Sequence, residues 1–204
     1  KMKNKSSFSL LISIIFLLVH LTAFSQNFII SGGHAFTAAL DAYGNVWTWG
    51  MNEAGQLGRG TIGVDYPTPG LVNMGGVIIK SIDAGSANHV VALSCDNEVW
   101  TWGSNEYGQL GNTTLPTGLG SYTKVPTHVM GVGGTGFLKN VRYVTSSTTA
   151  SYAILESGRL VAWGGNAYGE LATGNNTPSR TPVYVTKEDG TPLIGIVAVD
   201  AGDQ

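Results

Sequence analysis

WTWGMNEAGQLGRG, residues 47–60, decides the fold, because the chain writes it again almost unchanged as WTWGSNEYGQLGNT from Trp100. One globular core needs such a cluster of tryptophan and glycine only once. A looser third version, AWGGNAYGELATG, starts at Ala162. Trp49, Trp102 and Trp163 lie 53 and 61 residues apart, a spacing that signals repeated supersecondary units.

Leu40, Leu93 and Ile154 each stand nine residues before the tryptophan, and Gly32, Gly85, Ser146 and Gly202 follow one another at 53, 61 and 56 residues. The repeats therefore run over about 29–81, 82–142 and 143–198, and a fourth begins at 199. Each opens with a hairpin, as in AFTAALDAYGNVWTWG from Ala35, where two short apolar runs flank a turn at Asp41 to Gly44. A glycine-rich loop follows, then a run such as PTPGLV, VPTHVM or RTPVYV, then a last run such as VIIKSIDAG or GIVAVDAG. Four short strands per unit are expected. Length varies only in loops such as LPTGLGSYTK and GVGGTGF, where insertion is tolerated.

Strand alternation puts Trp47 and Trp49 on one face and Val46 and Thr48 on the other, and Trp100, Trp102, Val99 and Thr101 repeat the pattern. Both faces are uncharged, so each sheet is expected to be buried on both sides, the bulky face of each unit filling against the smaller face of the next. Radial stacking of four-stranded sheets is a β-propeller. In the quoted loop, Asn52 can bond nearby backbone, Leu57 can pin the loop to the core, and Gln56 offers a donor and an acceptor for buried backbone groups. The third unit has Glu170 for the glutamine and Ala172 for the second glycine but keeps Gly169. The positive φ is therefore expected at the first glycine, Gly55 and its counterparts.

Composition agrees with an all-β chain. Of 204 residues, 43% are hydrophobic, only 12% are charged and 29 are glycine, a profile of short strands and tight turns. Lys1, Lys3 and Lys5 precede the apolar stretch LLISIIFLLVHL from Leu10, and Ala23 and Ser25 close it with small residues. This reads as a signal peptide over residues 1–25, cleaved after Ser25, which makes the protein secreted or displayed at a cell surface. A single membrane anchor over Phe8 to Phe24 is the alternative; the small-residue exit favours a leader, with no stable membrane insertion after cleavage. Without it, eight basic residues face thirteen acidic ones, a balance that argues against a nucleic-acid partner. Cys95 is the only cysteine, so no internal disulfide can form.

The string W-G-x-N-x-x-G-Q-L-G, preceded by A-L-x-x-x-G-x-V-x-x, resembles the signature of the regulator-of-chromosome-condensation repeat family across roughly residues 29–204. The resemblance implies blades of four strands, usually seven to a ring. Three complete repeats and the start of a fourth would then be a partial propeller that needs further blades to close. The family's usual histidine, four residues before the strand leucine, is present as His89 but is Phe36 and Ala150 elsewhere, and its opening Ala-Gly is replaced by VTSSTTAS in the third unit. The long linkers look like those of secreted and cell-surface bacterial members, which are mostly interaction modules. The leader and the acidic balance argue against the chromatin or small-GTPase partner of the family's nuclear exchange factor.

Sites of chemistry are sparse. His20 lies in the leader, and His34, His89 and His128 have no metal-ligand spacing. His89 reads as a structural histidine bonded between strands, and no nucleophile elbow, P-loop or dinucleotide fingerprint occurs. Glu53 and Glu106 occupy equivalent loop positions and read as solvated rim, and the sequons at Asn112 and Asn175 matter only in a eukaryotic secretory host. The tryptophans read as core, not as a sugar platform, whereas Tyr107 and Tyr168, at the loop position held by Ala54 in the first unit, are the candidates for surface contact. No catalytic, cofactor-binding or metal residue is assigned, and no cofactor is expected. The reading is an exported, non-enzymatic module that binds a protein or a glycan through its loops. The alternatives are a propeller-type lyase or hydrolase with an active site on one face of the ring, and a structural spacer in a large surface protein.

Overall fold

Asp41 shows how each hairpin is set. Its Oδ1 accepts the N–H groups of Tyr43 and Asn45, both at 2.9 Å, and Gly44 then takes φ 82° to reverse the chain. The second hairpin uses Asn97 at φ 62° in the same place, since asparagine tolerates the left-handed region better than other side chains.

The computed structural model describes residues 29–86 and 88–202; the leader read at residues 1–25 lies outside the described residues. The described chain is all-β, with three four-stranded antiparallel sheets. The first holds β1 (Ile29–Gly32), β2 (Phe36–Leu40), β3 (Val46–Gly50) and β4 (Tyr66–Leu71). The second holds β5 (Ile79–Asp83), β6 (His89–Ser94), β7 (Val99–Ser104) and β8 (Tyr122–His128). The third holds β9 (Val141–Ser146), β10 (Ala150–Leu155), β11 (Leu160–Gly164) and β12 (Ser179–Tyr184). Within each sheet the strands follow chain order. β5 packs against β1 on one side and β9 on the other at the inner edge, and β4, β8 and β12 form the outer edges. Among the described residues no helix is long and apolar enough to cross a membrane.

One strand joins a different sheet from the one its repeat suggests. The repeat spacing makes VIIKSIDAG the last strand of the first unit, but Ile79–Asp83 pairs with β6, Ile82 opposite Ala92 and Asp83 opposite Val91, and opens the second sheet. The repeat boundaries after 81 and 142 thus fall inside β5 and β9. Hydrophobic alternation marks a strand without saying which neighbour takes its hydrogen bonds.

The seams have the expected chemistry and the opposite direction. Trp102 packs with Ala38, Leu40, Val46 and Leu57 of the first sheet, and Trp163 packs with Val91, Leu93 and Val99 of the second. Each tryptophan face therefore lies on the small face of the sheet before it, not the one after. Trp102 and Trp163 are fully buried, and each such ring contributes on the order of 2–3 kcal/mol by area removed from water.

The repeated loop is the latch between sheets. Trp102 Nε1 donates to the main-chain carbonyl of Gln56 at 2.9 Å, and Trp163 Nε1 to that of Gln109 at 2.8 Å. The Gln56 and Gln109 side chains accept from the backbone N–H two residues earlier, at 2.8 and 2.9 Å. Glu170 does the same at 2.8 Å, since this bond needs only an acceptor; the two glutamines also donate, to Asn88 Oδ1 at 3.3 Å and Ser104 Oγ at 3.4 Å. Asn52, Asn105 and Asn166 each accept from the leucine N–H five residues on, at 3.2, 3.1 and 2.9 Å. The first glycine has positive φ as expected, 70° at Gly55, 85° at Gly108 and 87° at Gly169. The second does too, 66° at Gly58 and 65° at Gly111, so Ala172 is held at φ 47° where glycine would be at ease.

Candidate interaction face

In an up-and-down sheet alternate connections share one end. The turns between the first two strands of each sheet therefore lie beside the long loops at residues 51–65, 105–121 and 165–178. The asparagines build these loops from inside, since their second amide group bonds farther along: Asn52 to the Thr61 carbonyl at 3.0 Å, Asn105 to that of Pro116 at 2.6 Å, and Asn166 to that of Asn175 at 2.8 Å. With this inner ring fixed, the side chains at the crest face outward. Tyr107 is 51% exposed and Tyr168 78%. They flank a cleft of about 350 Å³ between the second and third sheets, lined also by Thr149, Asn166, Glu170 and Asn176. The two tyrosines singled out in the sequence thus come to one place. Leu119, 97% exposed, stands nearby on a loop held by Glu106, whose Oε1 accepts the Gly120 N–H at 2.9 Å. Glu106 is therefore a loop anchor, while Glu53 is exposed at the rim.

The histidines have three different fates. His34 is exposed in the turn after β1. His89 is fully buried between the second and third sheets, Nε2 at 3.0 Å from Ser151 Oγ. Ser151 Oγ donates to the Gln109 carbonyl at 2.9 Å, so it accepts from the Nε2–H of His89, while Nδ1 has no partner among the described residues. Burial pushes its pKa from 6.5 down to about 4, although the Asp83 carboxylate pulls the other way, and the ring is neutral. His128 is not isolated. It lies between Trp100 and Phe137, ring centroids at 3.6 and 4.2 Å, and its Nε2 meets Glu98 Oε2 at 3.0 Å. Lys139 reaches the other oxygen at 2.8 Å, and the hydrogen bond from Lys139 is the foremost cause holding the Glu98 carboxyl below its ordinary range. This cluster sits at the opposite end from the tyrosines, where its groups satisfy one another.

Sequence reasoning missed Asp83. Its Oδ1 accepts from Ser31 Oγ at 3.0 Å, and its Oδ2 accepts from Thr145 Oγ1 at 2.9 Å and from the Ser146 N–H at 2.6 Å. One carboxylate thus ties β1, β5 and β9 together at the inner edge. Ser31, Asp83 and Thr145 share one register position, opposite Ala38, Val91 and Tyr152. By the 53- and 61-residue spacing the counterpart of Ser31 and Thr145 is Ala84, so only the strand register brings Asp83 to their position, and the sequence spacing gives no signal for it. The sequon asparagines hold their own loops: Asn112 Oδ1 accepts from Thr114 N at 3.0 Å and Asn175 Oδ1 from Thr177 N at 2.8 Å. Among the described residues no three His, Cys, Asp or Glu side chains gather as metal ligands.

Comparison with known proteins agrees with this architecture. Models of the regulator of chromosome condensation (RCC1) repeat match residues 43–93, 96–154 and 157–204, and a second model of that repeat matches residues 79–109. The chain is 32% identical over 178 residues to the mitochondrial RCC1 domain-containing protein RUG3 of Arabidopsis thaliana, covering 85% of this chain and 38% of that one. It is 32% identical over 157 residues to the human E3 ubiquitin-protein ligase HERC2, covering 76% of this chain and 3% of that one. It therefore spans well under half the length of either relative. Prp20p from Saccharomyces cerevisiae, studied with its binding to Gsp1p and histones, superposes with a TM-score of 0.72 at 21% identity, over 86% of this chain and 42% of Prp20p. Human WBSCR16 superposes with a TM-score of 0.63 at 23% identity, over 79% of this chain and 38% of its own. With its latch loops, buried tryptophans and four-stranded blades, the chain belongs to the regulator of chromosome condensation (RCC1) repeat family.

Proposed function

We propose that this propeller segment is an exported module that binds a partner protein through the loop end of its blades, at the cleft between Tyr107 and Tyr168. The observation that carries the reading is the exposure of two large aromatic side chains on loops whose inner residues are rigidly bonded. Such rings bring large contact area at small entropic cost, and cleft-flanking aromatics dominate many interfaces. Prp20p, which shares the fold, binds Gsp1p and histones; the partner here is a different one, since the chain without its leader is acidic and its route is export. A glycan is the second reading, favoured by the same pair of rings beside the hydroxyl of Thr149 and the amide of Asn176.

Export is tested by N-terminal sequencing of the protein recovered outside the cell, which should begin at Gln26; an uncleaved, membrane-bound product would overturn it. Binding is tested by crosslinking at the native surface with the wild type and with Tyr107→Ala/Tyr168→Ala. A partner lost in the double variant but kept in Tyr43→Ala, an exposed control at the opposite end, supports the reading. Equal capture by all three refutes it, and retention on a glycan array abolished by the double variant selects the second reading.

A further inference from the structure

The third seam departs from the other two. In the first and second, an indole from the following sheet reaches the latch carbonyl, Trp102 to Gln56 at 2.9 Å and Trp163 to Gln109 at 2.8 Å. The second latch glycine makes room: a Cβ on Gly58 would stand 2.7 Å from Trp102 Nε1, and one on Gly111 2.7 Å from Trp163 Nε1. Real Cβ atoms do not approach that closely. In the third sheet that position is Ala172, so the obstructing methyl is present.

Tyr152 is the second difference. It stands where the earlier sheets carry Ala38 and Val91, each opposite the middle residue of the third strand. Those small residues face Trp102 and Trp163. The Tyr152 hydroxyl donates at 3.4 Å to the main-chain carbonyl of Glu170, the counterpart of the Gln56 and Gln109 carbonyls. The phenol ring thus lies against the carbonyl that an incoming indole would use, from the near side of the seam and in the space that Ala38 and Val91 leave open in the earlier sheets.

Residues 196–202 show what comes to this face. Ile196 N donates to the Gly158 carbonyl at 3.1 Å, as Ile79 N does to Gly44 and Val141 N to Asn97, each also at 3.1 Å. Ile79 and Val141 begin the inner strands of the second and third sheets, so Ile196 occupies the start of another inner strand. Ile196, Val199 and Ala201 already pack against the third sheet, beside a cleft of about 460 Å³ bordered by Tyr152, Leu160, Ala172 and Val185.

We propose that Tyr152 and Ala172 make the third seam a selective joint, built for the sheet that residues 196–202 begin and for a small residue in that sheet at the tryptophan position. The joint rejects a tryptophan-bearing face. The first sheet of a second copy presents such a face through Trp49, only half-buried in this chain, and so serves as a probe of that rejection.

The test gives the seam the residues of its neighbours. Tyr152→Val with Ala172→Gly should self-associate at least about tenfold more tightly than wild type in sedimentation velocity, equivalent to about 1.4 kcal/mol. Adding Trp49→Ala should return the double variant to wild-type behaviour, whereas Trp49→Ala in the wild type should change nothing. Wild-type association that Trp49→Ala abolishes overturns the proposal, and so does a folded double variant that associates no more than wild type. If circular dichroism shows the double variant unfolded, Ala172→Gly alone carries the test, because it removes the methyl and relieves a left-handed alanine; its Trp49-dependent association then supports the proposal and its absence overturns it.

Discussion

Acidification should weaken the seam between the second and third sheets while sparing the one before it. His89 is buried and neutral, with a pKa of about 4 against 6.5 for the free side chain. In the unfolded chain the ring takes a proton near 6.5; in the folded chain it does not until about 4. Between those values unfolding takes up a proton, so stability falls as the pH falls, and it is fully present above about 6.5. A shift of that size is worth about 3 kcal/mol across the window. The first seam provides the control from within the molecule, since Phe36 and Val90 stand where the second has His89 and Ser151. His89→Phe with Ser151→Val should therefore give a seam without that pH dependence. Urea unfolding followed by tryptophan fluorescence, from neutral pH to about 4, compares the two proteins. Subtraction removes what the two proteins share and leaves the effect of His89 together with its interaction with Asp83. Wild type should lose about 3 kcal/mol more than the double variant over the window. Parallel stability curves would refute the assignment of a neutral, seam-bound imidazole.

Asp83→Ala removes the acceptor shared by Ser31, Thr145 and Ser146 and should cost about 3 kcal/mol in chemical denaturation; a loss below about 0.5 kcal/mol would mean that the inner edge holds without it. Gly111→Ala drives a methyl to 2.7 Å from Trp163 Nε1 and should destabilise by about 2–4 kcal/mol, with a red-shifted emission as the indole is displaced. By contrast, Ala172→Gly should raise stability slightly, by about 0.5 kcal/mol, because an alanine at φ 47° costs more than the added backbone freedom of glycine. Equal effects at the two positions would show that the following tryptophan does not decide them.

Much of the fold is legible because its signals are local. The turn at Asp41, the alternation around Trp49 and the Asn52–Leu57 loop depend on residues a few positions apart, and their geometry follows from alternation and turn chemistry. The loop glycines were legible only in part. Retention of Gly169 pointed to the first glycine, but the second is equally left-handed, and its reason lies in the tryptophan of another sheet. His128 looked isolated because Glu98, 30 residues away, and Phe137 reach it only across the outer edge of the second sheet. The candidate cleft was half legible: Tyr107 and Tyr168 were marked by their place in equivalent loops, while their meeting at one cleft depends on how two blades stand side by side.

By itself the sequence determined the period, the hairpins, the uncharged faces and the latch loop, since each is a property of neighbouring residues. Only the tertiary structure decided which sheet Ile79–Asp83 joins, that each tryptophan points to the sheet before it, that Asp83 ties three inner strands together and that His89 meets Ser151 across a seam. His89 and Ser151 stand 62 residues apart and Trp102 and Gln56 46. Loops of variable length lie between such partners, so spacing carries no record of the contact, and steric fit at the seam selects it.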